Sequence, residues 1–195
     1  MKFFGGKNEF RPDREGTGQL NKLWPTPKQQ LRALRWLLFS ALCLVGLLAQ
    51  DVLLYRVNVW GGCTDVVPCL VLMVVVLQGA ESGSVFALIM SVLYFFSGSS
   101  PGFHVIPLLT VVAVFVVIFR QAFLRQGFFT LLLCVAMGMT LYELGMFGVS
   151  LFLKLTVVSR VWAALATALV SMAVVPVFYP VLRAIGKLGG EAWKE

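Results

Sequence analysis

The sequence predicts an all-α integral membrane protein, a bundle of six transmembrane helices, and three observations lead there. Hydrophobic residues make up 59% of the chain and charged residues only 13%, with a mean hydropathy of +0.88. An ordinary soluble domain carries roughly 45–50% apolar and about 25% charged residues. A chain of 195 residues still exposes much of its surface when folded, so this excess cannot be hidden in a core and needs lipid as its solvent. Next, from Trp36 onward apolar runs recur between breaks of Gly, Ser, Pro and charged residues, with room for six crossings of about 20 residues each. Finally, Val-rich runs such as Leu70 to Leu77 lack the apolar/polar alternation that a membrane barrel needs to separate lipid from lumen. Helices then remain as the way to satisfy the backbone internally.

Residues 1–35 are expected to form a mobile, basic cytoplasmic tail. Lys2, Lys7, Arg11, Arg14, Lys22, Lys28, Arg32 and Arg35 outnumber Glu9, Asp13 and Glu15 there, and Trp24-Pro25-Thr26-Pro27 resists helix formation. The charged region is too long for a signal peptide, and no small-residue cleavage site follows the first apolar run. The six-span domain covers residues 36–185. Its first span runs from Trp36 to about Tyr55 and its second from Val66 to about Gln78. A tight Gly79-Ala80-Glu81-Ser82-Gly83 turn leads to a short third span ending near Phe96. Ser97-Gly98-Ser99-Ser100-Pro101-Gly102 breaks the chain before a fourth span, Phe103 to Phe119. Arg120 to Gly127 reads as a basic loop, Phe128 to Phe152 as the fifth span, and the stretch after Arg160 to about Leu182 as the sixth, kinked in its last turns by Pro176 and Pro180. Residues 186–195 form a short cytoplasmic tail.

Charge sets the orientation. With the amino terminus inside, the cytoplasmic segments hold the eight basic residues of the tail together with Arg120, Arg125, Arg183, Lys187 and Lys194, whereas the outer segments hold only Arg56, Lys154 and Arg160. The positive-inside rule therefore puts both termini in the cytoplasm of a multi-pass protein. The net charge of +7 reflects that bias and attraction to anionic membrane lipid. No nucleic-acid-binding module accompanies the basic residues, so nucleic acid is not expected as a partner.

Glu143 is the most informative residue. It falls mid-span in Met139-Thr140-Leu141-Tyr142-Glu143-Leu144-Gly145, where a carboxylate is costly and must face other helices. A proton or substrate site is one reading. A structural hydrogen bond is the other, favoured because no basic partner accompanies the acid; Tyr142 and Gln78 are candidate partners. Asp51, beside Gln50 at the outer end of span one, is expected to reach interfacial water or Arg56, and Glu81 to sit solvated in the cytoplasmic turn. The lone His104 has no second His or Cys-x-x-Cys nearby, which argues against a metal. No Ser/His/Asp set and no Gly-x-x-x-x-Gly-Lys loop occurs, so neither an enzyme nor a cofactor is expected. Cys43 and Cys134 lie in apolar runs as small hydrophobes. The spacing of Cys63 and Cys69 allows a disulfide without favouring one. On span six Ala163, Thr167 and Ser171 fall at four-residue spacing beside Ala164 and Ala168, a face on which helices approach closely.

Several of these features together resemble the MreD family, small membrane proteins of the bacterial rod-shape and cell-elongation system. They are the first span ending in Gln50-Asp51, the proline-started span Val67-Pro68-Cys69-Leu70, the small-residue turn Gly79 to Gly83, Leu-Tyr-Glu-Leu at 141–144, and the ending Pro176-Val177-Phe178-Tyr179-Pro180-Val181-Leu182-Arg183. The resemblance covers roughly residues 36–185. One departure is Leu93-Tyr94-Phe95-Phe96, where family members often carry an acid. What the resemblance implies is a non-enzymatic adaptor in the bacterial cytoplasmic membrane. It would work with an MreC-like single-span protein and, through it, with MreB, RodA and a class B penicillin-binding protein to organise peptidoglycan synthesis and cell shape. Arg120 and Arg125 would then form an inner basic loop facing lipid or partners. The family's fold is similar to that of substrate-binding subunits of energy-coupling-factor transporters, so a vitamin- or metal-binding transporter subunit is the alternative. Those subunits commonly dock through an Ala-x-x-x-Ala face on span one, whereas here the clear small stripe is on span six.

Overall fold

A computed structural model describes residues 27–52, 58–59, 62–123 and 127–187. The expected tail up to residue 26, Arg56, Arg125 and the last residues of the chain lie outside them. Among the described residues seven α-helices follow in order: α1 Pro27–Val52, α2 Val66–Gln78, α3 Ala80–Phe96, α4 Val105–Phe123, α5 Phe128–Phe152, α6 Val161–Met172 and α7 Val174–Lys187. A two-residue antiparallel pair, β1 Asn58–Val59 with β2 Gly62–Cys63, precedes α2, and a 3-10 turn, Val158–Arg160, leads into α6.

Helices α1, α4 and α5 are long and apolar enough to cross a membrane. The α6–α7 pair, bent by 41°, makes a fourth crossing if taken as one broken span. Helices α2 and α3 are equally apolar but have 13 and 17 residues, short of the usual spanning length. For α2 the reason is its place. It touches every other helix, and Val66 to Leu77 are all buried. A helix enclosed by protein has no bilayer thickness to match.

Several boundaries differ from the sequence reading, each for a local reason. Helix α1 begins at Pro27 rather than Trp36, because proline is tolerated in a first turn and Lys-Gln-Gln-Leu-Arg-Ala-Leu-Arg are good helix formers. The expected turn at residues 79–83 shrinks to Gly79 alone. That glycine takes φ 88°, which L side chains rarely adopt, and Ala80 to Gly83 already belong to α3. Gly83 then packs against α2 so closely that a Cβ there would lie 2.9 Å from the Val75 carbonyl oxygen. The last span breaks at Ala173, between α6 and α7, ahead of both prolines. Pro176 cannot donate to the Met172 carbonyl and its ring crowds it, so the break falls one turn upstream. Pro180 is accommodated inside α7.

Candidate functional site

The head of α2 is the point where polar groups gather, and the need for them is elementary. A helix leaves its first four N–H groups without intrahelical acceptors, and here they lie in the interior of an apolar bundle. Each is accounted for. The Asp65 N–H donates to Ser171 Oγ of α6 at 2.8 Å. The Val66 and Val67 N–H groups donate to Gln50 Oε1 of α1 at 2.9 and 3.1 Å. Pro68 has no N–H to satisfy. Asp65 is the N-cap by position, but its own side chain makes no capping bond; Gln50 does that work from another helix.

Freed from capping, the Asp65 carboxylate turns to side chains. Its Oδ1 accepts hydrogen bonds from Gln50 Nε2 at 2.9 Å and from the Tyr94 hydroxyl at 2.8 Å, and Gln50 Nε2 also reaches Tyr94 Oη at 3.2 Å. Tyr94 and Ser171 are almost wholly buried. One small network thus ties the end of α1, the head of α2, the end of α3 and the end of α6 together.

Two predicted residues adjoin this network. Glu143 lies on α5, roughly 14 Å along the helix from its end at Phe152, and interacts electrostatically with Asp65. Tyr142, 1% exposed, interacts with Asp65, Tyr94 and Glu143. Neither Glu143 Oε1 nor the Tyr142 hydroxyl makes a hydrogen bond among the described residues. The expected hydrogen bond between them is therefore not formed. Gln78 is no partner either, since it closes the opposite end of α2, roughly 20 Å from Asp65, where its amide atoms are buried and unbonded.

The other predicted positions fall elsewhere. Asp51 is exposed and accepts a hydrogen bond from Ser99 Oγ at 2.6 Å; its other expected partner, Arg56, lies outside the described residues. Ala168 is buried and Ala164 partly so, on a helix that packs against α5, β2, α7 and α2; the small stripe serves contacts within this chain. Arg120 is not in a loop. It occupies the last turn of α4 and donates from a guanidinium N–H to the Val76 carbonyl, one of the acceptors α2 leaves unused at its end. Cys43, Cys69 and Cys134 are free buried thiols; the side chain of Cys63 lies outside what the structure describes. No group of three His, Cys, Asp or Glu side chains converges among the described residues.

Sequence reasoning missed the central parts played by Asp65, Tyr94 and Ser171. A signal was available for one of them, because Asp immediately before an unbroken apolar run marks a helix start. Comparisons with protein-family models, curated proteins and solved structures return no match.

Proposed function

We propose that this chain is an MreD-like, non-enzymatic adaptor of the bacterial cell-elongation machinery, crossing the cytoplasmic membrane six times with both termini inside. The observation that carries the reading is that the sequence features of the resemblance meet at one place. The polar end of span one supplies Gln50, which caps the proline-started α2, and Tyr142 and Glu143 of Leu-Tyr-Glu-Leu interact with the Asp65 carboxylate that Gln50 holds. Tyr94, standing where family members often carry an acid, donates to that same carboxylate. Six crossings follow if the short apolar α2 and α3 each count as one, α2 being enclosed and free of the length that lipid demands.

The outward surface also favours an adaptor. Exposed Leu37, Leu44, Val45 and Leu48 on α1 and Val85, Leu88, Ile89 and Leu93 on α3 offer apolar ridges to a partner's single transmembrane helix. The docking face of a transporter subunit finds less support. Gly46 faces inward onto Leu70, and the exposed small residues on α1, Ala33 and Ala41, stand two turns apart with exposed Leu37 between them rather than at Ala-x-x-x-Ala spacing.

Co-purification tests the proposal. An MreC-like single-span protein, expressed with this chain, should remain bound through detergent extraction and size-exclusion chromatography. A folded chain that elutes without it, or adjacent genes encoding an ATPase pair in place of a periplasmic coiled-coil protein and an actin-like protein, would sink the adaptor reading in favour of the transporter subunit.

A further inference from the structure

At the Asp65 end of the bundle the apolar helices do not stop at one level. Roughly 24 Å of helix separate Arg35 from Asp51 on α1, and the same length separates Glu81 from Ser97 at the end of α3. Both fall short of a hydrocarbon core about 30 Å thick. These two helices stand side by side. The Trp36 and Phe86 rings meet edge to face at 5.7 Å, and exposed Asp51 accepts its hydrogen bond from Ser99 just past the end of α3. That polar rim is level with the head of α2, because Gln50 beside Asp51 caps α2 and Tyr94 of α3 reaches Asp65.

The α5–α6 side is taller. Gly138 of α5 packs level with Leu72 of α2, whose methyl group an added Cβ would meet at 2.9 Å. From Leu72 to Asp65 is a rise of roughly 10 Å; the same rise along α5 reaches Gly145 and leaves roughly 10 Å more of apolar helix to Phe152. Helix α6 gives a separate measure. Its Ser171 holds the Asp65 N–H, so its start at Val161 stands roughly 15 Å beyond the head of α2. The added height is apolar and exposed at Leu151, Phe152, Leu155, Val157 and Trp162. Its first charge is Lys154, which takes the left-handed conformation (φ 58°) that glycine usually supplies at a helix end. Arg160 follows, and no acidic residue occurs between Glu143 and Glu191. Lys and Arg beside an exposed Trp fit a layer of lipid headgroups, and a purely basic rim fits their phosphates.

We propose that the bilayer around this protein is of unequal thickness. Beside α1 and α3 the leaflet at the Asp65 end is drawn in by several Å, so that its headgroups meet Asp51 and Ser99. Beside α5 and α6 it keeps its full height, and Lys154 and Arg160 meet lipid phosphate. A mismatched helix can be accommodated by thinning the lipid next to it, and the bonds at Gln50, Tyr94 and Ser171 prevent the short helices from sliding outward to match the tall ones. The inference rests on the chain lying in a membrane and not on the adaptor reading.

The test uses the purified full chain in nanodiscs of dioleoyl phosphatidylcholine, which leave both faces open to a water-soluble maleimide. Val52→Cys and Leu151→Cys, both at exposed positions, are compared after subtracting the label taken up by the parent chain. Leu151 lies farther from the Arg120 end than Val52, yet Val52→Cys should react about tenfold faster or more, because the reacting thiolate does not form in hydrocarbon. Phe96→Cys and Phe152→Cys, also at exposed positions, repeat the comparison should either of the first pair fail to fold. Equal labelling, protection of Val52→Cys, or faster labelling of Leu151→Cys overturns the proposal. A tilted bundle in a flat bilayer would instead push the Arg120 end of α5 into water, so Leu133→Cys labelled as fast as Val52→Cys overturns it too.

Discussion

Replacing Gln50 by Met keeps the length and most of the volume of the side chain while deleting four hydrogen bonds: two accepted from Val66 and Val67 N–H, and two donated to Asp65 and Tyr94. Side-chain hydrogen bonds in membrane bundles average about 0.6 kcal/mol, and typical intramolecular bonds contribute about 1 kcal/mol. Four of them give a loss of about 2.5–4 kcal/mol. The upper end is expected, because the two backbone N–H groups are left dry with no other acceptor. Equilibrium unfolding of the purified chain, by titrating SDS into mild detergent micelles and following helicity, measures the difference. Asp51→Asn is the internal control. It alters the adjacent residue, exposed and bonded only to Ser99 among the described residues, and should cost less than about 1 kcal/mol. Gln50→Glu separates the two halves of the amide. It keeps the cap on Val66 and Val67 but sets a second carboxylate against Asp65, so its deficit should shrink as pH falls and a protonated Glu regains a donor. A Gln50→Met variant within about 0.5 kcal/mol of the parent would refute the capping argument, and so would an Asp51→Asn variant that costs as much.

The same unfolding assay checks three further expectations. Gly83→Ala should destabilise more than Gly138→Ala, because the new Cβ at Gly83 meets the Val75 backbone at 2.9 Å whereas at Gly138 it meets methyl groups of Leu72 and Val116 that can rotate away; equal costs would count against a rigid α2–α3 contact. Arg120→Met should lose about 1–3 kcal/mol by leaving the Val76 carbonyl without its donor, and a neutral result would return Arg120 to the loop-like, surface role that the sequence suggests. Ala168→Leu should cost about 1–3 kcal/mol by overpacking a buried position, and more than Ala164→Leu, whose site is partly open; the reverse order would mean that the stripe faces outward.

Much of the scaffold was legible because it follows from local rules. Apolar runs between Gly, Ser and Pro breaks gave helices close to the expected positions, and Phe128–Phe152 matches its predicted bounds. What escaped depends on tertiary placement. That α2 is short and enclosed cannot be read from its composition, since a buried helix and a lipid-facing one are equally apolar. That one residue of a Gly-rich stretch suffices for a turn depends on the positive φ at Gly79 and on how tightly α3 returns against α2. The candidate site divides in the same way. Glu143 stood out because a charge in an apolar run is visible in one dimension. Tyr94 did not, because a tyrosine among Leu and Phe looks like any aromatic until Asp65 is found 2.8 Å from its hydroxyl.

The polar centre of this bundle is best understood as two superposed sets. One set exists because a short central helix has to begin inside the protein. Its first N–H groups need acceptors, and Gln50 and Ser171 come from α1 and α6 to supply them, which makes the network a consequence of the length of α2. The second set, Glu143 and Tyr142, meets no such need. Removing both hydroxyl and carboxylate would leave every backbone group at the head of α2 as well satisfied as before, while sparing the desolvation of a carboxylate. Stability alone therefore argues against them. Groups that cost stability and cap nothing are the ones whose presence asks for a ligand or a partner, and in this chain they stand side by side on α5 and interact electrostatically with Asp65, the other acid among the described residues that is not exposed.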